Sequence, residues 1–176
     1  MSKEINPEFI EQCLKVHNKY RALHGSPDLK IEEELNKFAQ EWAESLAKQD
    51  KAEHRDQDQY GENIYAMSNT DPEWKGVHAE DAVKSWYDEV ALYKFGEDEP
   101  KDLTEVGHFT QVVWKETLKV GVGLATSTGG TVYVVCNYDP PGNVVGQFPK
   151  SVPPSKVRSK KRKRSAPGPG KAKRGQ

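Results

Sequence analysis

The chain has 176 residues, 35% of them hydrophobic, with four Trp and seven Tyr, enough for one domain and not comfortably two. Its net charge of −1 hides a division: residues 151–176 hold ten Lys/Arg and no Asp/Glu, which leaves the remainder with 16 basic and all 27 acidic residues, a net of −11. Two cysteines allow one bond at most and exclude a disulfide framework, and no stretch approaches the roughly 18 apolar residues of a membrane span.

The first ten residues contain no apolar run long enough for a signal peptide, and Ser2 stands where N-myristoylation requires glycine. The expectation is a soluble protein in a reducing compartment. Asn6-Pro7-Glu8 then opens a helix: Asn can cap, Pro fits the first helical position and Glu suits the positive end of the dipole. Phe9, Ile10, Cys13, Leu14, His17 and Tyr20 recur at helical spacing until Gly25 and Pro27 end the run. A second helix is expected over about residues 31–48, with Leu35, Phe38, Ala39, Trp42, Ala43, Leu46 and Ala47 on a wide apolar face. Residues 50–60 are polar and aperiodic, so they form a loop. A third helix is expected over about residues 79–93, with Ala82, Val83, Trp86, Val90 and Tyr93 inside. Glu89 lies on or beside that stripe, where a carboxylate needs a partner.

The period then becomes strand-like. Gln111-Val112-Val113-Trp114 reads as a short strand, residues 120–125 as a second and residues 131–138 as a third, with residues 126–130 as a hairpin loop. Asp139-Pro140-Pro141-Gly142-Asn143 carries turn chemistry. Helices first and antiparallel strands later indicate an α+β layered domain over residues 1–150. Residues 151–176, rich in Pro, Gly, Ser, Lys and Arg, are expected to form a disordered basic tail.

Four polar residues need explanation: His54 in the polar loop, Glu62, Glu89, and His108 just before the expected first strand. Two imidazoles and two carboxylates could converge on one divalent metal, since imidazole suits zinc and oxygen ligands widen the choice. No HExxH or CxxC motif is present, so the same four can equally be scattered polar residues, each satisfied locally. His17 reads as a core histidine, His24 sits near a helix C-terminus where a cation is mildly favoured, and His78 is exposed. Trp42, Trp86 and Trp114 read as core, and Cys136 as a buried thiol.

Gly107-His108-Phe109-Thr110-Gln111-Val112-Val113-Trp114 resembles the most recognisable motif of the CAP superfamily, which holds cysteine-rich secretory proteins, venom antigens and plant pathogenesis-related proteins. Val135-Cys136-Asn137-Tyr138-Asp139-Pro140-Pro141-Gly142-Asn143 resembles its second motif. His17-Asn18-Lys19-Tyr20-Arg21, the helix from Leu35 to Leu46 and Gly61-Glu62-Asn63-Ile64 follow other family landmarks in order. The resemblance covers roughly residues 8–148 and is nearest to the Golgi-associated plant pathogenesis-related branch. It departs from that branch in lacking the N-terminal Gly and in carrying the basic tail. The resemblance implies an α-β-α sandwich, with a small antiparallel sheet between helical layers and a cleft bearing His54, Glu62, Glu89 and His108. It also implies that His54 and His108 could share Zn2+ or another divalent ion, with no cofactor required.

Three functions follow. The first is a non-catalytic binding module for lipids, sterol or acidic phospholipid, peripheral on Golgi or other endomembranes. The second is hydrolysis by Ser68 with a cleft His, in its own chain or across a homodimer, although no nucleophile motif surrounds Ser68. The third lies in Lys160, Lys161, Arg162, Lys163 and Arg164, which fit an anionic membrane, a nuclear signal or a nucleic-acid backbone; the absence of interleaved aromatics argues against base stacking. Export by an unconventional route is a further placing.

Overall fold

A computed structural model describes residues 6–156; the basic cluster at 160–164 and the expected tail from residue 157 onward lie outside the described residues. Asn6 caps the first helix, α1 (Pro7–Leu23), by accepting from Glu8 N at 2.9 Å, and Gly25 leaves it in the left-handed region. The order continues with β1 (Lys30–Ile31), α2 (Glu33–Gln49), β2 (Gly61–Met67), α3 (Ala79–Tyr87) running into a 310 helix (Asp88–Leu92), α4 (Leu103–Val113), β3 (Lys119–Thr126), β4 (Val132–Asp139) and α5 (Phe148–Ser151).

The strands form one sheet in the order β1-β3-β4-β2. The β3–β4 hairpin and the β4–β2 pair are antiparallel, while the two-residue β1 runs parallel to β3, so the sheet is mixed rather than wholly antiparallel. Side chains alternate between two cores, as strand geometry requires. Val120, Val122, Val134, Cys136 and Tyr138 pack with Cys13, Ala82, Val83, Trp86, Phe109 and Val113 of α1, α3 and α4. Tyr133 and Val135 pack on the other face with Ala39, Ala43 and Leu46 of α2. This is the α-β-α sandwich.

Helix α2 lies directly on the β3 backbone. A Cβ at Gly121 or Gly123 would overlap main-chain atoms of Leu35 or Ala39. The outer edge of β3 beyond β1 would be left unpaired, and α2 supplies it with amides. Asn36 Oδ1 accepts from Val122 N at 2.9 Å, and Gln40 accepts from Leu124 N at 2.8 Å and donates to Leu124 O at 3.0 Å.

Several expectations need correction. Gln111-Val112-Val113 is not a strand but the end of α4, with Trp114 as its C-cap, so His108 lies inside a helix rather than before a strand. Asp102 caps α4, accepting from Thr104 N at 3.1 Å, and Val112 and Val113 are wholly buried. Burial in a tight layer overrode the β preference of these residues, which is itself largely a packing preference. The third helix stops at Tyr87 and tightens into the 310 turn that carries Glu89. His24 is not a solvated cation: it is buried, donates through Nδ1 to Pro153 O and accepts from Tyr87 Oη, both at 2.8 Å, and burial pulls its pKa down. Trp42 is half-buried, whereas Trp86 and Trp114 are core. Ser151 and Val152 are buried, so packing continues past α5.

Candidate functional site

The four residues singled out form two His–Glu pairs. His54 Nδ1 donates to Glu62 Oε1 at 2.7 Å, and the same oxygen accepts from Arg55 N at 3.0 Å. The Glu62 side chain is 5% exposed and that of His54 68%, so the carboxylate is fixed in the body and the imidazole faces solvent. This pairing raises the His54 pKa above its ordinary value, against a smaller opposing effect of burial. Glu62 Oε2 is buried and has no partner among the described residues, as is Asn137 Oδ1, whose residue stands opposite Glu62 in the β2–β4 register.

His108 Nδ1 donates to Glu89 Oε2 at 2.7 Å, while Glu89 Oε1 accepts from His108 N at 2.9 Å and Phe109 N at 3.0 Å. The partner that Glu89 requires is therefore α4 itself. The His108 ring stacks on Trp86, with centroids 6.3 Å apart and planes at 14°, and Trp86 Nε1 donates to Ile64 O on β2.

Residues without a motif of their own hold these pairs in place. Asn63 Nδ2 donates to both His108 O and Tyr138 Oη at 3.2 Å, tying β2, α4 and β4 together. Arg55 clamps the loop of His54 onto α2: its guanidinium lies 3.9 Å from the Phe38 ring centroid and donates to Phe38 O at 3.1 Å and Glu41 at 3.3 Å. Trp42 Nε1 adds a bond to Glu53 O. The sequence signal for this clamp is the Phe38–Trp42 pair at i, i+4 with a cation adjoining His54. The two landmark motifs also fold onto each other. Gln111 accepts from Gly142 N, Thr110 donates to Asn143 Oδ1, and Asn143 donates to Gly107 O.

Beside β2 and α3 opens a cavity of about 360 Å³, lined by Tyr65, Met67, Trp74 and Val77 together with Asp81, Lys84 and Asp88. Ser68 directly follows β2, is exposed, and has no hydrogen-bond partner among the described residues.

Each of these two imidazoles has Nδ1 engaged by a carboxylate, which leaves Nε2 as the nitrogen available to a ligand. Metal-bound histidines use this carboxylate pairing to fix their tautomer and raise their basicity. Such pairing leaves each Nε2 suited to a metal ion or to another ligand. Among the described residues no group of three or more His, Cys, Asp or Glu is placed to chelate an ion.

The profile of the Cysteine-rich secretory protein family (CAP) matches residues 14–138. The chain is 39% identical over 161 residues to human Golgi-associated plant pathogenesis-related protein 1, covering 89% of this chain and 99% of that one. It is 35% identical over 142 residues to pathogenesis-related protein PR-1 of Medicago truncatula, covering 80% and 79%. Among solved structures, NaASP2 with Zn2+ superposes with a TM-score of 0.68 at 26% identity, covering 86% of this chain and 88% of that one. Three layers around a small sheet, two interlocked motifs and a family match across most of the folded body agree: this chain belongs to the CAP family.

Proposed function

We propose that this protein is a non-catalytic CAP-domain binding protein whose ligand site is formed by His54, Glu62, Glu89 and His108, and whose ligand is an amphiphilic lipid, a sterol or an acidic phospholipid. The observation that carries this reading is the pairing of both imidazoles with carboxylates rather than with a nucleophile. Each Nε2 is left to meet a ligand. The cavity beside β2 and α3, lined by aromatic, apolar and charged residues but by none of these four, suits a molecule with an apolar body and a polar head. Ser68, exposed and unpaired among the described residues, has no bonded base to activate it.

A divalent ion on His54 and His108 is an accessory ligand in this reading, supported by the paired Nδ1 atoms and by the Zn2+ that accompanies NaASP2 in its crystal structure. When bound it would supply a positive charge for an acidic headgroup. The ten basic residues of 151–176 supply attraction to anionic membranes, at about 1 kcal/mol for each residue that reaches the surface. A peripheral place on Golgi or other endomembranes is supported by the Golgi association in the human relative's name.

The test is binding of the full chain to a fluorescent sterol and to phosphatidylserine vesicles, alongside Glu89→Gln, His108→Ala and a variant with Lys160, Lys161, Arg162, Lys163 and Arg164 all replaced by Gln. Loss of saturable sterol or headgroup binding in the cleft variants alone supports the site. Equal binding by all variants, or ester hydrolysis that disappears in Ser68→Ala, overturns it.

A further inference from the structure

Cys13 and Cys136 lie far apart in sequence, on α1 and β4, yet their Sγ atoms are 3.7 Å apart in the core. Both thiols are free and neither is exposed to solvent. A disulfide bond is about 2.05 Å long, so closing the pair needs roughly 1.7 Å of approach between the two sulfurs. A pair held this close differs from two cysteines that merely share a core.

Their surroundings separate the two sulfurs chemically. The Cys136 thiol, bonded toward Cys13, draws the Cys13 thiol below its ordinary range with help from His17, whereas burial pushes the Cys136 thiol up. His17 approaches Cys13 Sγ at 3.8 Å through Nδ1, which also donates to Cys13 O at 2.9 Å. That bond fixes the tautomer, so His17 Nε2 accepts from Tyr138 Oη at 2.8 Å. One sulfur is thus the thiolate-forming member and the other the protonated resolving member.

We propose that Cys13 and Cys136 form a redox site that closes to an internal disulfide joining α1 to β4, with a small peroxide as the oxidant. The Cys13 thiolate attacks the O–O bond of hydrogen peroxide, forming Cys13–S–OH and releasing hydroxide, which takes up the proton that Cys13 had lost. The Cys136 sulfur then displaces the sulfenic hydroxyl, the S–S bond forms, and the Cys136 proton leaves with that hydroxyl as water. Two thiols lose two electrons, and one peroxide becomes two waters. The oxidant enters by opening of α1. Residues 6–8, at its start, are exposed, Phe9 and Ile10 only half-buried, and Cys13 lies one turn further in. The consequence reaches the cleft, because Tyr138 accepts from the same Asn63 that holds His108 O.

The experiment uses the reduced full chain and hydrogen peroxide, with thiols counted by alkylation after unfolding. Free thiols are expected to fall from two to none with loss of two hydrogen masses. No protein dimer forms, the Cys13 and Cys136 peptides are found joined, and the oxidised form melts at a higher temperature. Cys136→Ser is expected to stop at a trappable Cys13 sulfenic acid. The proposal is overturned if both thiols survive exposures that fully oxidise the urea-unfolded chain, or if oxidation yields only intermolecular disulfides or unlinked sulfinic acids. None of these measurements involves a lipid, so they stand or fall apart from the binding function.

Discussion

Single residues show how closely the site depends on hydrogen-bond partners. Because Glu62 raises the His54 pKa, the folded state favours the imidazolium. The stabilisation is complete below the unfolded value of about 6.5 and is lost as pH rises through the folded value; it is small because His54 is mostly solvated. A divalent ion needs neutral imidazole, so zinc affinity is expected to rise over that same interval. An NMR titration of the His54 ring should report a pKa above about 6.5 that falls in Glu62→Gln; an unchanged value in the variant refutes the pairing. Arg21 is the clearest structural counterpart. Its wholly buried guanidinium donates to Pro27 O, Val112 O, Trp114 O and Thr117 O at 2.8–3.0 Å, and burial lowers its pKa to about 10. Two of those carbonyls lie at the C-terminus of α4, where a cation complements the helix dipole and satisfies groups that have no intrahelical partner. Arg21→Met should cost at least about 3 kcal/mol in urea unfolding, since several buried acceptors lose their donor together.

At the scale of elements, α2 meets β3 backbone against backbone. Gly123→Ala places a methyl against the backbone of Ala39, which cannot move aside as a side chain would. Overpacking of this kind should destabilise by about 1–3 kcal/mol or more, measurable by the same unfolding. Asn36→Ala should cost about 1–3 kcal/mol by stranding the buried amide of Val122, without altering lipid or metal binding. The position of Glu89 depends on two elements meeting. The 310 turn after α3 brings its carboxylate to the amides of His108 and Phe109, so Glu89→Gln disturbs the seat of α4 as well as the cleft. Its effect on ligand binding should therefore exceed that of Glu62→Gln, whose partner is a solvated loop residue.

The whole molecule joins an acidic body to a basic C-terminal segment, and salt distinguishes their contributions. Attachment through 151–176 should weaken steeply as ionic strength rises and the Debye length falls below ~8 Å, whereas apolar binding in the cleft should not. Vesicle co-sedimentation across a salt series checks this, and salt-independent binding would remove the segment from the mechanism. The sequence by itself determined the class of the fold, α1 and α2, the β3–β4 hairpin and the turn after it. These features are local: helical spacing, capping chemistry and alternation act within a few residues. Tertiary structure alone decided that Gln111-Val112-Val113 is helical, that β2 and the parallel β1 exist, and that the cleft histidines pair with carboxylates from other elements. It also decided that His24 is buried against Pro153 and that Cys13 meets Cys136. Each of these depends on burial or on a partner distant in the chain, and neither is encoded in the periodicity of the segment itself.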